Sequence, residues 1–247
     1  MTLKKRLCGP DAVSNVFMTL PVPLLAERMG RAGLDTVTLD LQHGYIENGD
    51  LLGMVQAITA GGVPALARLA WNRPELIMNA LDYGVEGLIC PMIETADDVA
   101  AFVRAAKYPP AGNRSFGPFR AGMLHEGDYF ADANDATVCF AMVETAAAVD
   151  NLTAIAAVPG LDGLYIGPWD LSVSLGLEQK GNLADSKLKE VMDRVLALGQ
   201  EHGLFTGIFT VRPEDARVMR ERGFDLVTWG TEALMFERGL GAWKVAS

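Results

Sequence analysis

Short apolar runs alternate with amphipathic segments along most of the chain. Eight runs rich in β-branched and aromatic residues predict strands at 12–18, 36–41, 64–69, 87–93, 138–143, 163–166, 205–210 and 226–229. Helical patterns lie between them at 51–60, 74–83, 95–106, 145–157, 185–202 and 213–222. Pro74 and Pro213 stand at first-turn positions, and glycines follow several last turns, which are the usual helix start and stop signals.

Continuous apolar strands that alternate with helices indicate a parallel sheet covered on both faces. Eight such units in 247 residues favour a (β/α)8 TIM barrel, and a doubly wound open sheet is the alternative. Two long segments, 107–137 and 175–185, have no regular pattern, and long loops on a compact scaffold are often functional. No linker or composition shift divides the chain, so residues 1–247 are predicted to form a single barrel domain.

Charge and cysteine usage narrow the possible partners. The chain has 21 Lys and Arg against 31 Asp and Glu, a net charge of −10, which argues against nucleic acid or an anionic membrane as a partner. One local arginine could still hold a small anionic substrate. The three cysteines are far apart and show no CxxC spacing, which favours free thiols in a reducing compartment. With no apolar run of spanning or signal length, we expect a soluble cytoplasmic protein.

Two acidic residues follow consecutive predicted strands. Glu144 comes after the fifth strand and Asp170 after the sixth, and strand carboxyl ends form the active site of a (β/α)8 barrel. Two carboxylates with no Cys or His beside them suit a hard divalent cation. Each acid alone also has a structural explanation, since Asp170 could be a helix N-cap and Glu144 could favour a helix dipole.

Further polar residues are predicted at the same rim. Asp40 and His43 follow the second strand, and Arg68 ends the third. A 2-oxo acid could chelate the cation while Arg68 holds its carboxylate or polarises its keto oxygen. His43, or Asp40 with it, is the candidate base. Lysines occur in terminal, helical or loop contexts, so a metal-stabilised enolate in an aldol or retro-aldol reaction is favoured over an imine.

Five motifs in this order carry a family resemblance over essentially the full length. They are LDLQHG at 39–44, the stretch 67–98, GNRSFGPFRA at 112–121, VET at 143–145 and IGPWDLS at 166–172. The chain resembles the class II, metal-dependent pyruvate aldolases of the HpcH/HpaI type, in the phosphoenolpyruvate/pyruvate barrel superfamily. The resemblance implies reversible cleavage of 4-hydroxy-2-oxo acids into pyruvate and an aldehyde with Mg²⁺, Mn²⁺ or Co²⁺, in pathways such as aromatic compound catabolism. The alternatives are a coenzyme-A thioester lyase of the citrate or malyl type and a non-catalytic oxo-acid-binding barrel.

The resemblance also implies roles for individual residues. Glu144 and Asp170 resemble the metal ligands, and Arg68 resembles the arginine that binds the pyruvyl group and stabilises the enolate. His43 resembles the general acid/base, with Asp82 as its dyad partner. Asp40 is implied as a further active-site acid.

The rest of the implied site concerns substrate binding and assembly. Pro91-Met92 and Gly167-Pro168 are implied to line the pyruvate pocket with their backbone. Arg114 and Arg120 are candidates for gripping the distal end of the acceptor aldehyde, and surface or interface ion pairing is their alternative explanation. Relatives are typically homohexamers, dimers of trimers, with an exchanged C-terminal helix, here 232–243.

Two positions depart from the family pattern. Many relatives have Gln where this chain has Met142, and relatives often have Ala where it has Trp169. Trp169 is therefore a substrate-contacting candidate with a bulky ring beside the proposed metal. We expect both changes to affect acceptor choice or rate, and not the class of reaction.

Overall fold

Eight parallel strands close into a barrel in the computed structural model, which describes residues 1–245. The strands are β1 (Val13–Met18), β2 (Thr36–Asp40), β3 (Ala65–Arg68), β4 (Gly87–Cys90), β5 (Val138–Val143), β6 (Gly163–Ile166), β7 (Phe205–Phe209) and β8 (Leu226–Thr231). Each strand pairs with the next in chain order, and β8 pairs with β1, so the sheet has no free edge. The predicted TIM barrel is confirmed, and the doubly wound sheet is excluded.

Helices follow the strands and flank the barrel. They are α1 (Leu3–Leu7), α2 (Pro23–Arg31), α3 (Asn48–Ala60), α4 (Pro74–Asp82), α5 (Ala96–Ala106), α6 (Phe119–Leu124), α7 (Tyr129–Ala136), α8 (Ala146–Asp150), α9 (Leu152–Ala156), α10 (Pro168–Ser174), α11 (Ser186–His202), α12 (Pro213–Glu221) and α13 (Glu232–Val245). The strands run towards one rim and the helices return to the other. The two rims therefore carry different sets of residues.

Helix α5 shows how local sequence sets an element. Thr95 caps it: the Thr95 hydroxyl accepts from the Asp98 backbone N–H at 3.1 Å, and the Asp98 carboxylate accepts from the Thr95 N–H at 2.9 Å. This reciprocal capping box satisfies backbone donors that the first turn would otherwise leave unpaired. The helix then buries Val99, Phe102 and Val103 against the rest of the core.

The barrel interior combines an apolar layer with a short polar network. Asn15 donates to the Thr228 hydroxyl at 2.8 Å and accepts from the Thr38 hydroxyl at 3.0 Å, and the Tyr165 hydroxyl lies 2.7 Å from that of Thr228. All four side chains are buried, and each finds a partner, which a buried polar group needs to avoid an unfavourable desolvation free energy. Phe17 packs on Tyr165 in the same layer, with ring centroids 6.1 Å apart.

Several short helices differ from the sequence-based expectation. The segment 107–137 was expected to be irregular, but it contains α6 and α7. The helix expected over 145–157 is divided at Asn151 into α8 and α9. The helices α1 and α2 were not predicted as elements, whereas α10 forms where Asp170 was considered as a possible helix N-cap.

Two bulk expectations can be compared with the structure. Cys8, Cys90 and Cys139 are free cysteines, as their spacing predicted. None of the helices within residues 1–245 is long and apolar enough to cross a membrane.

Removal of the α5 cap should destabilise the fold measurably. Thr95→Ala loses the side-chain acceptor at the N-cap, which we expect to cost about 1 kcal/mol and to lower Tm by about 2–4 °C for a chain of this size. Thermal unfolding followed by circular dichroism measures the shift. Thr153→Ala, at an exposed position in α9, is the matched control and should leave Tm nearly unchanged. Equal shifts in both variants would contradict the capping role.

Candidate active site

A small cavity opens at the carboxyl-terminal rim of the barrel, where the sequence placed the candidate chemistry. Its volume is about 150 Å³, and its lining consists of His43, Arg68, Met142, Gly167, Pro168, Trp169 and Phe209. A larger cavity of about 600 Å³ lies between α12, β8 and α13, and it contains none of the predicted site residues. The chemistry therefore places the candidate active site in the smaller cavity.

Arg68 is locked by a buried ion pair with Asp40. Its Nε and Nη2 donate to the two Asp40 carboxylate oxygens at 2.9 and 2.6 Å, a bidentate pairing across neighbouring strands β2 and β3. Phe17 lies under the guanidinium, with 5.1 Å between Cζ and the ring centroid. The remaining guanidinium N–H groups are free to serve the cavity that Arg68 lines.

Asp40 also shapes the loop that carries His43. Its Oδ1 accepts from the backbone N–H groups of Gln42 and His43 at 3.1 and 3.2 Å. With both oxygens engaged and the side chain buried, Asp40 holds Arg68 and this loop in place. The His43 side chain is exposed and lines the cavity mouth. Among the described residues, no hydrogen bond to its ring is formed.

Glu144 follows β5 and is almost completely buried, with 1% of its surface exposed. Its Oε1 accepts from the Met92 backbone N–H at 2.7 Å, whereas Oε2 is buried without a hydrogen-bond partner. Met92 has φ 53°, a left-handed conformation that is strained for a side chain other than glycine. Burial raises the pKa of Glu144; the Met92 N–H opposes that rise, and the charge of Asp170 adds to it.

The approach of Glu144 to β6 requires a glycine. A Cβ on Gly167 would lie 2.9 Å from Glu144 Oε2 and 2.6 Å from Met142 Cε. Gly167 therefore lets the backbone after β6 pass directly beside the unpartnered oxygen. It is also the N-cap of α10, so Asp170 lies in the first turn of that helix and is not its N-cap.

Glu144 and Asp170 fit a divalent cation. Asp170 is exposed and follows β6, next to β5, which carries Glu144, and its negative charge contributes to the raised pKa of Glu144. A buried, unpartnered carboxylate oxygen is costly unless a cation or donor meets it. Residues 1–245 contain no cluster of three or more His, Cys, Asp or Glu residues able to hold a metal.

Asp82 does not lie with His43 within one chain. It ends α4, which leads through Gly84 into the start of β4, and so belongs to the opposite rim of the barrel. There its Oδ1 accepts from Arg114 Nη2 at 2.6 Å. Burial raises the pKa of Asp82, and Arg114 opposes the rise.

The two loop arginines also lie at that opposite rim. The Arg114 side chain is fully buried between the rings of Tyr108 and Tyr129, 4.5 and 5.8 Å from its Cζ. Arg120 donates from Nη1 to the Tyr83 carbonyl at 2.6 Å. Neither guanidinium reaches the cavity of its own chain.

Three cavity features were not apparent from the sequence pattern. Phe17 and Phe209 resemble ordinary strand residues in the sequence, but their rings lie 5.2 Å apart, with Phe17 under Arg68 and Phe209 in the cavity wall. The strained Met92 carries the N–H that orients Glu144. An alternating strand pattern does not distinguish Phe17 or Phe209 from the other core residues.

Comparisons with known proteins identify the family of this chain. The family model described as HpcH/HpaI aldolase/citrate lyase matches residues 14–238. A hydroxypyruvate/pyruvate aldolase of Rhizorhabdus wittichii is 36% identical over 239 residues, covering 94% of this chain and 93% of that protein. A 2-dehydro-3,6-dideoxy-6-sulfogluconate aldolase of Pseudomonas putida is 35% identical, covering 85% of this chain and 82% of that protein.

A solved structure shows the same likeness in three dimensions. The crystal structure of an HpcH/HpaI aldolase/citrate lyase family protein from Burkholderia cenocepacia superimposes with a TM-score of 0.89 at 33% identity, covering 99% of both chains. The resemblance inferred from the five motifs is confirmed. The chain belongs to the HpcH/HpaI aldolase/citrate lyase family, and it is a carbon–carbon lyase of the aldolase type.

Proposed function

We propose that this chain is a divalent-metal-dependent aldolase that reversibly cleaves 4-hydroxy-2-oxo acids into pyruvate and an aldehyde. The observation that carries the proposal is the buried Glu144 Oε2, which has no protein partner and stands at the same rim as Asp170 and the locked Arg68. The relatives named above, aldolases of hydroxypyruvate or pyruvate and of a 2-dehydro sulfogluconate, support an oxo acid as substrate.

Arg68 is proposed to bind the oxo acid. Its bidentate pairing with Asp40 fixes the plane of the guanidinium, so its remaining N–H groups meet the substrate carboxylate or keto oxygen without reorganisation. The backbone at Pro91-Met92 and at Gly167-Pro168 is proposed to complete the oxo-acid subsite, because Gly167 and Pro168 line the cavity and the Met92 N–H donates to Glu144.

His43 is proposed to move the proton. In cleavage, the proton of the C4 hydroxyl passes to His43, the C3–C4 bond breaks, and its electron pair stays with the three-carbon fragment. The C4 fragment leaves as the aldehyde. A proton returned to C3 then gives the methyl group of pyruvate. The exposed position of His43 at the cavity mouth suits exchange of that proton with solvent.

Glu144 and Asp170 are proposed to hold Mg²⁺, Mn²⁺ or Co²⁺. The bound cation supplies Lewis-acid polarisation of the oxo acid. Glu144 Oε2 presents an oxygen that no protein donor occupies, and Met92 holds the other oxygen so that the carboxylate cannot turn away. Asp170 adds a second carboxylate from the solvent side.

Asp82 is proposed to reach His43 from a second copy of the chain. The two residues lie at opposite rims of one barrel, so a dyad forms only where the amino-terminal rim of one subunit faces the carboxyl-terminal rim of another. Asp82 keeps 22% of its side chain exposed for such a contact. The family pattern of a homohexamer, built as a dimer of trimers, would supply this arrangement.

Exposed apolar surface supports self-association. The helix α13 leaves 68% of Phe236 and 79% of Trp243 exposed, which suits exchange of this helix with a neighbouring subunit. Phe116, in the loop before α6, and Phe119, the first residue of α6, are 66% and 92% exposed near the rim that carries Asp82. Burial of these rings between copies would stabilise the assembly.

Metal removal tests the cofactor. Chelation should abolish pyruvate release from a panel of 4-hydroxy-2-oxo acids, and Mg²⁺, Mn²⁺ or Co²⁺ should restore it, because two carboxylates alone cannot polarise the substrate. Glu144→Gln keeps the shape and removes the charge, so calorimetry should show weakened Mn²⁺ binding. Glu201→Gln, on the exposed face of α11, is the control and should bind Mn²⁺ as tightly as the unmodified chain. Full activity after chelation would refute the proposal.

Replacement of Arg68 tests the oxo-acid subsite. Arg68→Lys keeps one positive charge but cannot hold Asp40 through two hydrogen bonds and also reach the substrate, so kcat should fall by at least about 100-fold. Steady-state kinetics of pyruvate release measures the loss. Arg73 is an exposed arginine paired with Glu75, so Arg73→Lys is the control and should keep the kcat of the unmodified chain. Retention of a third or more of kcat by Arg68→Lys would remove Arg68 from the mechanism.

Mixed assemblies test the shared site. His43→Ala and Asp82→Asn should each be nearly inactive, but co-expressed subunits should recover about a quarter of full activity on random mixing, because some sites pair an intact His43 with an intact Asp82. A mixture of His43→Ala with Arg68→Ala should stay inactive, since both residues belong to the same chain's rim. Recovery in neither mixture, with assembly intact by light scattering, would contradict the intersubunit dyad.

A further inference from the structure

The cavity has a polar side and an apolar side. His43 and Arg68 are the charged or titratable residues that line it, and Met142, Pro168, Trp169 and Phe209 form the remaining side chains of its wall. We propose that Trp169 and Phe209 form an apolar acceptor wall that makes the enzyme select uncharged, apolar aldehydes over aldehydes that end in a carboxylate. This inference rests on the proposed aldolase function and names its acceptor class.

The indole of Trp169 packs against Phe209, which belongs to a row of aromatic rings. It meets Phe209 edge-on, with centroids 6.0 Å apart and an interplanar angle of 88°. Phe209 in turn packs on Phe17 at 5.2 Å, and Phe17 underlies the Arg68 guanidinium. The wall is therefore joined through packed rings to the arginine proposed to hold the oxo acid. Edge-to-face pairs of this kind favour one relative ring orientation.

The loop between α10 and α11 fixes the indole from another side. Gly181 has φ +65°, and a Cβ there would lie 2.6–2.7 Å from three atoms of the indole. Its N–H donates to the Ser172 hydroxyl at 3.0 Å, and that hydroxyl donates to the Pro168 carbonyl at 2.6 Å. The backbone of Gly181 is thus tied to the helix that bears Trp169, and only a glycine leaves room for the ring. Gly181 acts as a positioning residue.

Within the described part of one chain, no second positive charge lines the cavity to meet an acceptor carboxylate. Arg68 is the one cation lining the cavity in the described part of the chain, and Asp40 already engages it. Arg114 and Arg120 lie at the rim that a neighbouring subunit would bring to this cavity together with Asp82. However, the Arg114 side chain is completely buried against Asp82, and Arg120 donates to the Tyr83 carbonyl, so both guanidinium groups are already engaged. A carboxylate against the Trp169 wall would lose hydration without gaining an ion pair, which is strongly unfavourable. An apolar group would instead be stabilised by burial.

Two acceptors of equal heavy-atom count test the wall: 4-methylpentanal, which ends in an isopropyl group, and succinic semialdehyde, which ends in a carboxylate. With pyruvate as donor, kcat/KM for 4-methylpentanal should exceed that for succinic semialdehyde by at least about tenfold. Trp169→Ala should reduce this ratio to below about threefold, and Trp169→Phe should keep most of it. Gly181→Ala should lower the ratio although residue 181 does not line the cavity, because its methyl group displaces the indole.

Val173→Ala, at an exposed position one turn further along α10, is the matched control and should leave the ratio unchanged. Exchange of the pyruvate methyl protons with deuterated solvent, followed by NMR, reports the proposed function without any acceptor. No exchange by the unmodified enzyme would overturn the proposed function and this inference with it. Two results would overturn the acceptor wall alone, provided that the unmodified enzyme exchanges the methyl protons. One is a higher kcat/KM for succinic semialdehyde than for 4-methylpentanal, and the other is a kcat/KM ratio that neither Trp169→Ala nor Gly181→Ala changes.

Discussion

Closure of eight parallel strands is the constraint on which the site depends. Because all eight strands run in one direction, every strand carboxyl end reaches the same rim, and the side chains that follow these ends converge. The pairing register makes the convergence specific. Asp40 is paired with Arg68 across β2 and β3, and Val143 is paired with Ile166 across β5 and β6. The second pairing places Gly167 directly beside Glu144.

Buried charge is tolerated at this rim because nearly every charged atom has a counterpart. Asp40 receives two hydrogen bonds from Arg68 and two from backbone N–H groups, which offsets the desolvation of both side chains. Glu144 and Glu232 are exceptions, since each keeps one buried oxygen without a hydrogen-bond partner. Burial also raises the pKa of Glu144. A buried carboxylate oxygen is unfavourable unless a donor or a cation meets it, and Glu144 Oε2 lies beside Gly167 of the cavity wall, where a cation is proposed to bind.

The opposite rim has its own buried charges. Lys107 is buried and donates to Asp162 and to two backbone carbonyls. Arg114 lies between two tyrosine rings and donates to Asp82. Within a single chain, Arg114 and Arg120 therefore stabilise the fold and do not reach the cavity. The dyad of Asp82 with His43 that the family resemblance implies therefore requires another subunit to bring the two rims together.

The sequence by itself predicted the eight strands and the longer helices, favoured the barrel over an open sheet, and placed Asp40, His43, Arg68, Glu144 and Asp170 at one rim. These follow from local periodicity and from the rule that parallel strands share a carboxyl rim. Only the tertiary structure decided that Asp40 is committed to Arg68, that Asp82 lies at the other rim, and that Phe209 joins Trp169 in the cavity wall. The physical reason is that pairing and packing between residues distant in the chain depend on register and side-chain direction, which a one-dimensional pattern does not encode.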